Sequence, residues 1–390
     1  MINRVVYLIL YPFNDRDYDR FGLETVTRNG FDVEVWDLTP LIQPEILAEV
    51  QMTLTATGYV HRVFTDRQTA SDAIAALDAS SFVIAHVGYM LPSLFVYRAL
   101  ARAKAMYAVV ASNAIPLAPA SASPRLAWSK ILHLTPAAVL RSFFHRAPSR
   151  WFGLRSADVV FVSTELALQG CRPVDATTRR IMVHAFDYDV FQRARIAPRP
   201  QCPPYGVFLD DFLPSHTDFI AVGGSPVRAD LYYPRICAFF DKIEILSGSR
   251  IVVAAHPRSH YEEGRFGDRE IIYGTTAELT CHAQFAITHA SQSFSFAVLA
   301  EIPAIFLTMN AMVLSGNPVS VEFDERIRFM AEAAGKRPYN VDGPRPFDLG
   351  AEMCVDRERY SEYRHRYLKH PDSPDLPYWE IVSRFLRELP

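Results

Sequence analysis

"VVAAHPRSHYEE", residues 252–263, runs four apolar residues directly into His256, Pro257, Arg258, Ser259 and His260. A short β-branched run of this kind reads as the end of a buried strand. The residues after it are groups that hold anions. In open α/β sheets, ligands bind beyond the carboxyl ends of the strands. The fold therefore turns on whether neighbouring strands end in the same way. In this half of the chain they do. "YGVFL" is followed by Asp210 and Asp211, "REIIYG" by Thr275 and Thr276, and "QFAIT" by His289, Ala290, Ser291, Gln292 and Ser293.

Outward from that stretch, the same alternation extends through the chain. "VVYLIL" (5–10), "DVEVWDL" (32–38), "SFVIAHV" (81–87), "YAVVAS" (107–112) and "DVVFVST" (158–164) read as strands, with helix-compatible segments between them. Such alternation predicts parallel sheets with helices on both faces. The proline- and arginine-rich "RARIAPRPQCPPYG" looks like a linker. A second series follows it: "YGVFLDD", "SRIVVAAH", "REIIYG", "QFAITHAS" and "PAIFLT", with "PVRADLYYPRICAFFDKIEIL" and "FSFAVLAE" as helices. Gly223-Gly224 reads as a turn into the first of these, with Pro226 in its first turn. "LPYWEIVSRFLREL" near the end is an amphipathic helix. The expected division is an α/β domain over 1–192, a second over 205–345, and a helical tail over 346–390 that packs back.

The bulk composition bounds the function. The 390 residues are 49% hydrophobic and 21% charged, as in a globular protein. Forty basic against 43 acidic side chains give a formal charge of −3, so no global positive field recommends a nucleic-acid partner. Five cysteines without a CxxC argue against a disulfide framework or a structural zinc site, and for a reduced, cytoplasmic setting. "RVVYLILYPF" is too short to span a bilayer.

The strand-end residues suggest a chemistry. Ser291 and Ser293 precede a helix and could cap it, and the amides of a helix start attract anions. Thr275 and Thr276 offer the same arrangement. His256 and Arg258 would add a donor and a fixed charge, so that a phosphate could be held without a P-loop, which the sequence lacks. Each piece alone has a plainer reading: a cap, a structural histidine, a solvated Asp211. Asp210 is the candidate for the chemical step, either taking a proton from an attacking hydroxyl or attacking carbon itself. Two adjacent aspartates supply fewer oxygens than a hard cation usually needs, so no metal is assigned.

"VFLDDFLPSHTDF", "LYYPRICAFFDKIE", "VVAAHPRSHYE", "YGTTAEL" and "THASQSFSFAVL", in this order, together with "HAFDYDVF" (184–191), resemble the bacterial retaining β-Kdo glycosyltransferases of capsule and lipopolysaccharide assembly. The HP and serine motifs are also similar to those of bacterial sialyltransferases. The likeness covers about 155–310 well and the first 150 residues only in general pattern. It implies a GT-B fold, two Rossmann-like domains facing across a cleft. It also implies a CMP-Kdo or related CMP-ulosonic acid donor, with no cofactor or metal. In that family His256, Arg258, Thr276, Ser291 and Ser293 would hold the CMP phosphate, and Asp210 would act as nucleophile. In the sialyltransferases a carboxylate of a D/E-D/E-G motif is the base. Here the motif is Asp-Asp-Phe, and the missing glycine points to the Kdo branch. Glu165, at a strand end of the first domain, is a possible acid/base partner; as a surface side chain it would have no such role.

The acceptor, a glycan or lipid-linked glycan, would fall to the first domain. "HVGYMLPS" (86–93) could contact sugar or be an ordinary strand-to-helix loop. Residues 132–155 mix Arg141, Arg146, Arg150 and Arg155 with Phe143, Phe144, Trp151 and Phe152, which suits a core-packed helix, a mobile loop or peripheral contact with an anionic membrane. Three other readings remain open: a sialyltransferase-like inverting enzyme with Asp210 as base, a GT-B enzyme using a UDP- or CDP-linked group, and a non-catalytic glycan-binding or scaffold protein.

Overall fold

A computed structural model describes residues 1–48, 56–112, 114–116, 144, 147, 149–198, 202–215, 224–315 and 317–389. The chain forms two compact units. The first comprises 1–114, 134–186 and 369–390; the second comprises 115–133 and 187–368.

The first unit holds a seven-stranded sheet. Its strands are β1 (Arg4–Ile9), β2 (Asp32–Asp37), β3 (Val60–Val63), β4 (Ser81–His86), β5 (Met106–Ala111), β6 (Val159–Val162) and β7 (Arg179–Met182). They run in the order β3-β2-β1-β4-β5-β6-β7, and every pairing is parallel. β1 shows why: Val6 and Leu8 enter the core on one face while Val5, Tyr7 and Ile9 enter the core on the other. A strand buried on both faces reads as a continuous apolar run. The second core contains Tyr378, Trp379, Ile381, Val382, Phe385 and Leu386. These come from the helix Tyr378–Arg387, which therefore covers one face of this sheet.

The second unit holds six strands: β8 (Tyr205–Leu209), β9 (Arg250–Ala254), β10 (Ile271–Ile272), β11 (Phe285–Thr288), β12 (Ala304–Thr308) and β13 (Tyr339–Asn340). Their order is β10-β9-β8-β11-β12-β13, again parallel throughout. Gly206 lets the central strand lie close to its neighbour, since a Cβ there would come within 2.4 Å of the Phe285 ring. In both sheets the strand order reverses once, between β1 and β4 and between β8 and β11. Such switch points open the crevice where ligands bind.

Several boundaries differ from those expected. "RARI" of the supposed linker continues the helix Phe186–Ile196, and the division between units falls at Phe186/Asp187. The tail divides too: residues up to Leu368 belong to the second unit and Lys369 onward to the first. "DRFGLETVTRNG" forms parts of two short helices, Asp15–Arg20 and Leu23–Arg28, because Gly22 sits between them in the left-handed region. Pro226 lies ahead of the helix Ala229–Ser247 rather than in its first turn, and Gly223 lies outside the described residues.

Candidate active site

The switch point of the second unit carries the carboxylate pair. Asp210 is buried, at 4% exposure, and its carboxylate accepts three hydrogen bonds. Oδ1 accepts from the Phe212 amide at 2.8 Å; Oδ2 accepts from the His256 amide at 3.1 Å and from the Tyr261 hydroxyl at 2.5 Å. The side chain thus ties the tip of β8 to the turn that follows β9. Burial raises its carboxyl above the ordinary range, against the pull of those three donors.

Asp211 faces the other neighbour. Its Oδ2 accepts from the Ala290 amide at 3.0 Å, and the Ser291 hydroxyl bonds to the same side chain. Burial pushes its carboxyl up to about 7, and the nearby Asp210 charge adds to this. The Ala290 and Ser291 donors and the Arg326 charge work the other way. A carboxyl that titrates near neutrality can both take and return a proton at working pH.

The turn "HPRS" is internally bonded. Ser259, itself buried, donates its amide and hydroxyl to the His256 carbonyl at 2.9 and 2.7 Å. The His256 ring stacks on Phe212, with centroids 6.3 Å apart and planes 12° apart, and its Nδ1 accepts from the Arg258 amide at 3.2 Å. That acceptance leaves Nδ1 without a hydrogen and puts the neutral ring's proton on Nε2. Tyr261 is held in place edge-on to Phe212 and Phe266.

Phe212 has φ of 51°, in the left-handed region that favours glycine. The backbone at the third position of Asp-Asp-Phe is therefore the kind that a glycine would adopt. The missing glycine does not mark a different turn, and it no longer separates the Kdo reading from the sialyltransferase one.

The structure brings Asp210, Asp211, His256 and Ser291 into one cluster at the tips of β9, β8 and β11. Arg258 joins it through its amide, which donates to the His256 ring; no hydrogen bond or ion pair among the described residues joins Thr276, Ser293 or Glu165 to it. Thr276 begins the helix Thr276–His282 after the edge strand β10, and its carbonyl accepts from Thr280 at 2.7 Å. The side chain of Ser293 makes no cap bond to its helix, Phe294–Leu299. The helix-start amides expected to face a phosphate are already used: those of Phe294, Ser295 and Phe296 donate to the carbonyls of Ser291, Gln292 and Ser293 at 3.0–3.1 Å. Arg258 is exposed beside His256. An anion here would be met by side chains rather than by a row of free amides. Glu165 belongs to the first unit, where it is exposed and pairs with Arg180 at 3.4 Å, a surface ion pair.

Sequence reasoning missed three members of the cluster. Tyr261 lies five residues past His256 and carries the shortest bond to Asp210. Arg326 comes from the distant helix Pro318–Ala333. Tyr232 donates to His289 Nε2 at 3.0 Å, while Nδ1 of that buried ring donates to the Leu307 carbonyl at 2.8 Å. Burial lowers His289 to about 4, so it is a neutral bracing group beneath the site. Only Tyr261 had a local signal, as a polar aromatic on the strand-tip turn.

In the first unit, "HVGYMLPS" is a strand-to-helix turn. The Ser93 hydroxyl donates to the Gly88 carbonyl at 2.6 Å, and buried Tyr89 stacks on Phe144 at 4.6 Å. Within 132–155, Arg141, Phe143 and Arg146 lie outside the described residues. Arg155 is turned inward, with an ion pair to Asp158 at 2.6 Å and its guanidinium 4.7 Å from the Tyr107 ring. Trp151 is exposed at 65%. Among the described residues no helix is long and apolar enough to cross a membrane, and no group of three potential ligands could hold a metal ion.

No protein-family model matches the chain, and no curated protein is similar to it in sequence. Solved structures are similar in fold. The wall teichoic acid polymerase TagF, soaked with CDPG, matches 99% of this chain and 88% of its own at 12% identity, with a TM-score of 0.53. A UDP-N-acetylglucosamine 2-epimerase matches over 99% and 95% at 12% identity, with a TM-score of 0.50. CalG4, the calicheamicin glycosyltransferase, matches over 94% of each chain at 13% identity, also with a TM-score of 0.50. At these identities the likeness is one of fold: the chain has the GT-B class of fold, built from two Rossmann-like α/β units.

Proposed function

We propose that this protein is a glycosyltransferase that moves Kdo, or a related ulosonic acid, from its CMP-activated form to a sugar acceptor in surface polysaccharide synthesis. The observation that carries the reading is the cluster at the β8/β11 switch point, where Asp210 and Asp211 are bonded to the "HPRS" turn on one side and to Ala290-Ser291 on the other. His256, Arg258, Ser291 and Ser293 are the side chains that would receive the phosphate of the leaving CMP. Donors aimed at charge that grows on a leaving group stabilise the transition state more than the ground state.

In the retaining form, a carboxylate attacks the anomeric carbon as the bond to the CMP oxygen breaks, and the acceptor hydroxyl later displaces that carboxylate, its proton passing to water. Asp210 is the family-implied nucleophile, but its lone pairs are engaged by three donors. A specific observation favours a second, inverting form: Asp211, with a carboxyl near 7, takes the acceptor's proton as its oxygen attacks and CMP departs. In that form Asp210 holds the strand tips in register.

Incubation with CMP-Kdo, CMP-sialic acid, and UDP- and CDP-linked donors, each with an acceptor panel, tests the reading by released nucleotide. CMP release from CMP-Kdo or CMP-sialic acid supports the proposal, and the donor turned over names the ulosonic acid. Turnover of only UDP- or CDP-linked donors overturns it, and release from none of them favours a glycan-binding or scaffold role. The anomeric configuration of the product by NMR separates the two mechanisms.

A further inference from the structure

A cavity of about 650 Å³ opens in the second unit beside β12 and the edge strand β13. Five of its lining residues are cationic: Arg328, Lys336, Arg337, Arg345 and Arg359. Glu332 is its one acidic wall residue. The cluster at Asp210 contributes nothing to it.

The cations are not equivalent. Lys336 is half-buried and donates to the carbonyls of Ala351 and Glu352 at 3.1 and 2.7 Å, so it pins the wall. Arg328 is bonded to Asp324 at 2.8 Å through Nε alone, and Asp324 is fixed in turn by the Thr308 hydroxyl at 2.7 Å. Arg345 lies 5.4 Å from the Tyr339 ring centroid and only loosely approaches Glu352, at 3.7 Å. Arg359 approaches Glu362 at 3.3 Å. Each of these guanidiniums has five N–H donors and uses few of them. Arg337 has no ion pair or side-chain hydrogen bond among the described residues, and it is exposed.

Half-exposed ion pairs contribute little to stability. Four guanidiniums lining one concave space, three of them partly compensated, instead focus positive potential on whatever enters. Guanidinium forks match phosphate and carboxylate oxygens in pairs. The cavity is far larger than one such group and falls within the range of about 300–1,000 Å³ usual for small-molecule sites.

We infer that this cavity binds a ligand carrying two or more oxyanion groups, phosphate or carboxylate, at a site separate from the Asp210 cluster. The inference is independent of the proposed transfer reaction.

Isothermal titration of the intact protein with tripolyphosphate and with citrate tests it, in the presence and absence of CMP. Saturable binding by either probe that weakens as salt rises and persists in CMP supports the site, and the tighter probe names the head group. Arg337→Glu should weaken that binding at least tenfold. Its melting temperature and CMP affinity should be unchanged, because the side chain has no contact to lose. Arg345→Gln should weaken binding several-fold. Absence of saturable binding, displacement of the probe by CMP, or full affinity in Arg337→Glu overturns the inference.

Discussion

Phe212 adopts a backbone conformation that costs a non-glycine residue about 1–2 kcal/mol. Its ring repays part of that by stacking on His256 and meeting Tyr261 edge-on. The two effects can be separated. Phe212→Ala loses the ring and keeps the strain, whereas Phe212→Gly loses both. The glycine variant should therefore be more stable than the alanine variant by about 1 kcal/mol in urea denaturation. Equal stability would show that the turn is relaxed. Next to it, Asp211 predicts a pH dependence. Its carboxyl is raised in the folded protein to about 7, so between its unfolded value and that point the folded state binds a proton that the unfolded chain has released. Its contribution to stability is thus full below about pH 4, falls as pH rises, and becomes a penalty of at most a few kcal/mol above about pH 7. Asp211→Asn should flatten this slope and raise the melting temperature at pH 8. If it also removes a pH limb near 7 from turnover, Asp211 is the proton carrier. An unchanged slope would mean that Asp211 does not titrate in this window.

At the scale of elements, the helix Tyr378–Arg387 and the turn at Gly22 depend on each other. Trp379 donates its indole N–H to the Arg20 carbonyl at 2.7 Å, and its ring fills the space that a side chain at residue 22 would need. A Cβ on Gly22 would come within 2.2 Å of the Trp379 ring, with φ at 56° besides. Gly30 also has positive φ, at 93°, but nothing lies within 4 Å of its Cβ position. Gly30→Ala should therefore cost only its backbone strain, about 1 kcal/mol. Gly22→Ala should cost that plus overpacking, about 2–4 kcal/mol in total. Matching melting temperatures for the two variants would show that the helix can shift freely. The strands themselves were legible in the sequence because β-branched runs bounded by turn residues mark them. β3, β7 and β13 were not. Val60 and Val63 of β3 are exposed on a sheet edge, β7 is half arginine, and β13 has only two residues. An edge strand needs little apolar surface, so hydrophobic pattern finds one only where, as in β10, apolar residues remain.

At the scale of the whole molecule, the last segment completes the fold of the first unit. Its helix buries Tyr378, Trp379, Ile381, Val382, Phe385 and Leu386 against a sheet face that includes Tyr7, Val35, Phe82, Ala108 and Phe161, all far earlier in the chain. Burial of each such side chain contributes about 1.5–3 kcal/mol, so the segment as a whole rivals the entire stability of an ordinary domain, about 5–15 kcal/mol. A chain ending at Leu368 should leave the first unit unfolded or bound by the dye ANS. A soluble truncated protein with native near-UV circular dichroism would sink that account.

The sequence by itself determined the class of each element, the tandem of two α/β series and the polar character of the strand ends, because these follow from local periodicity. Tertiary structure alone decided which ends meet. Strand order places β9 and β11 on either side of β8, so Asp210 and Asp211 each bond to a different neighbour, while Thr276 is left two strands away. It also decided that the helix-start amides near Ser291 are already spent, that Phe212 holds a glycine-like turn, and that Arg326 lies near Asp211. Hydrogen-bond partners and burial depend on residues far apart in the chain. No periodicity encodes them, and the pKa of a carboxyl follows from them.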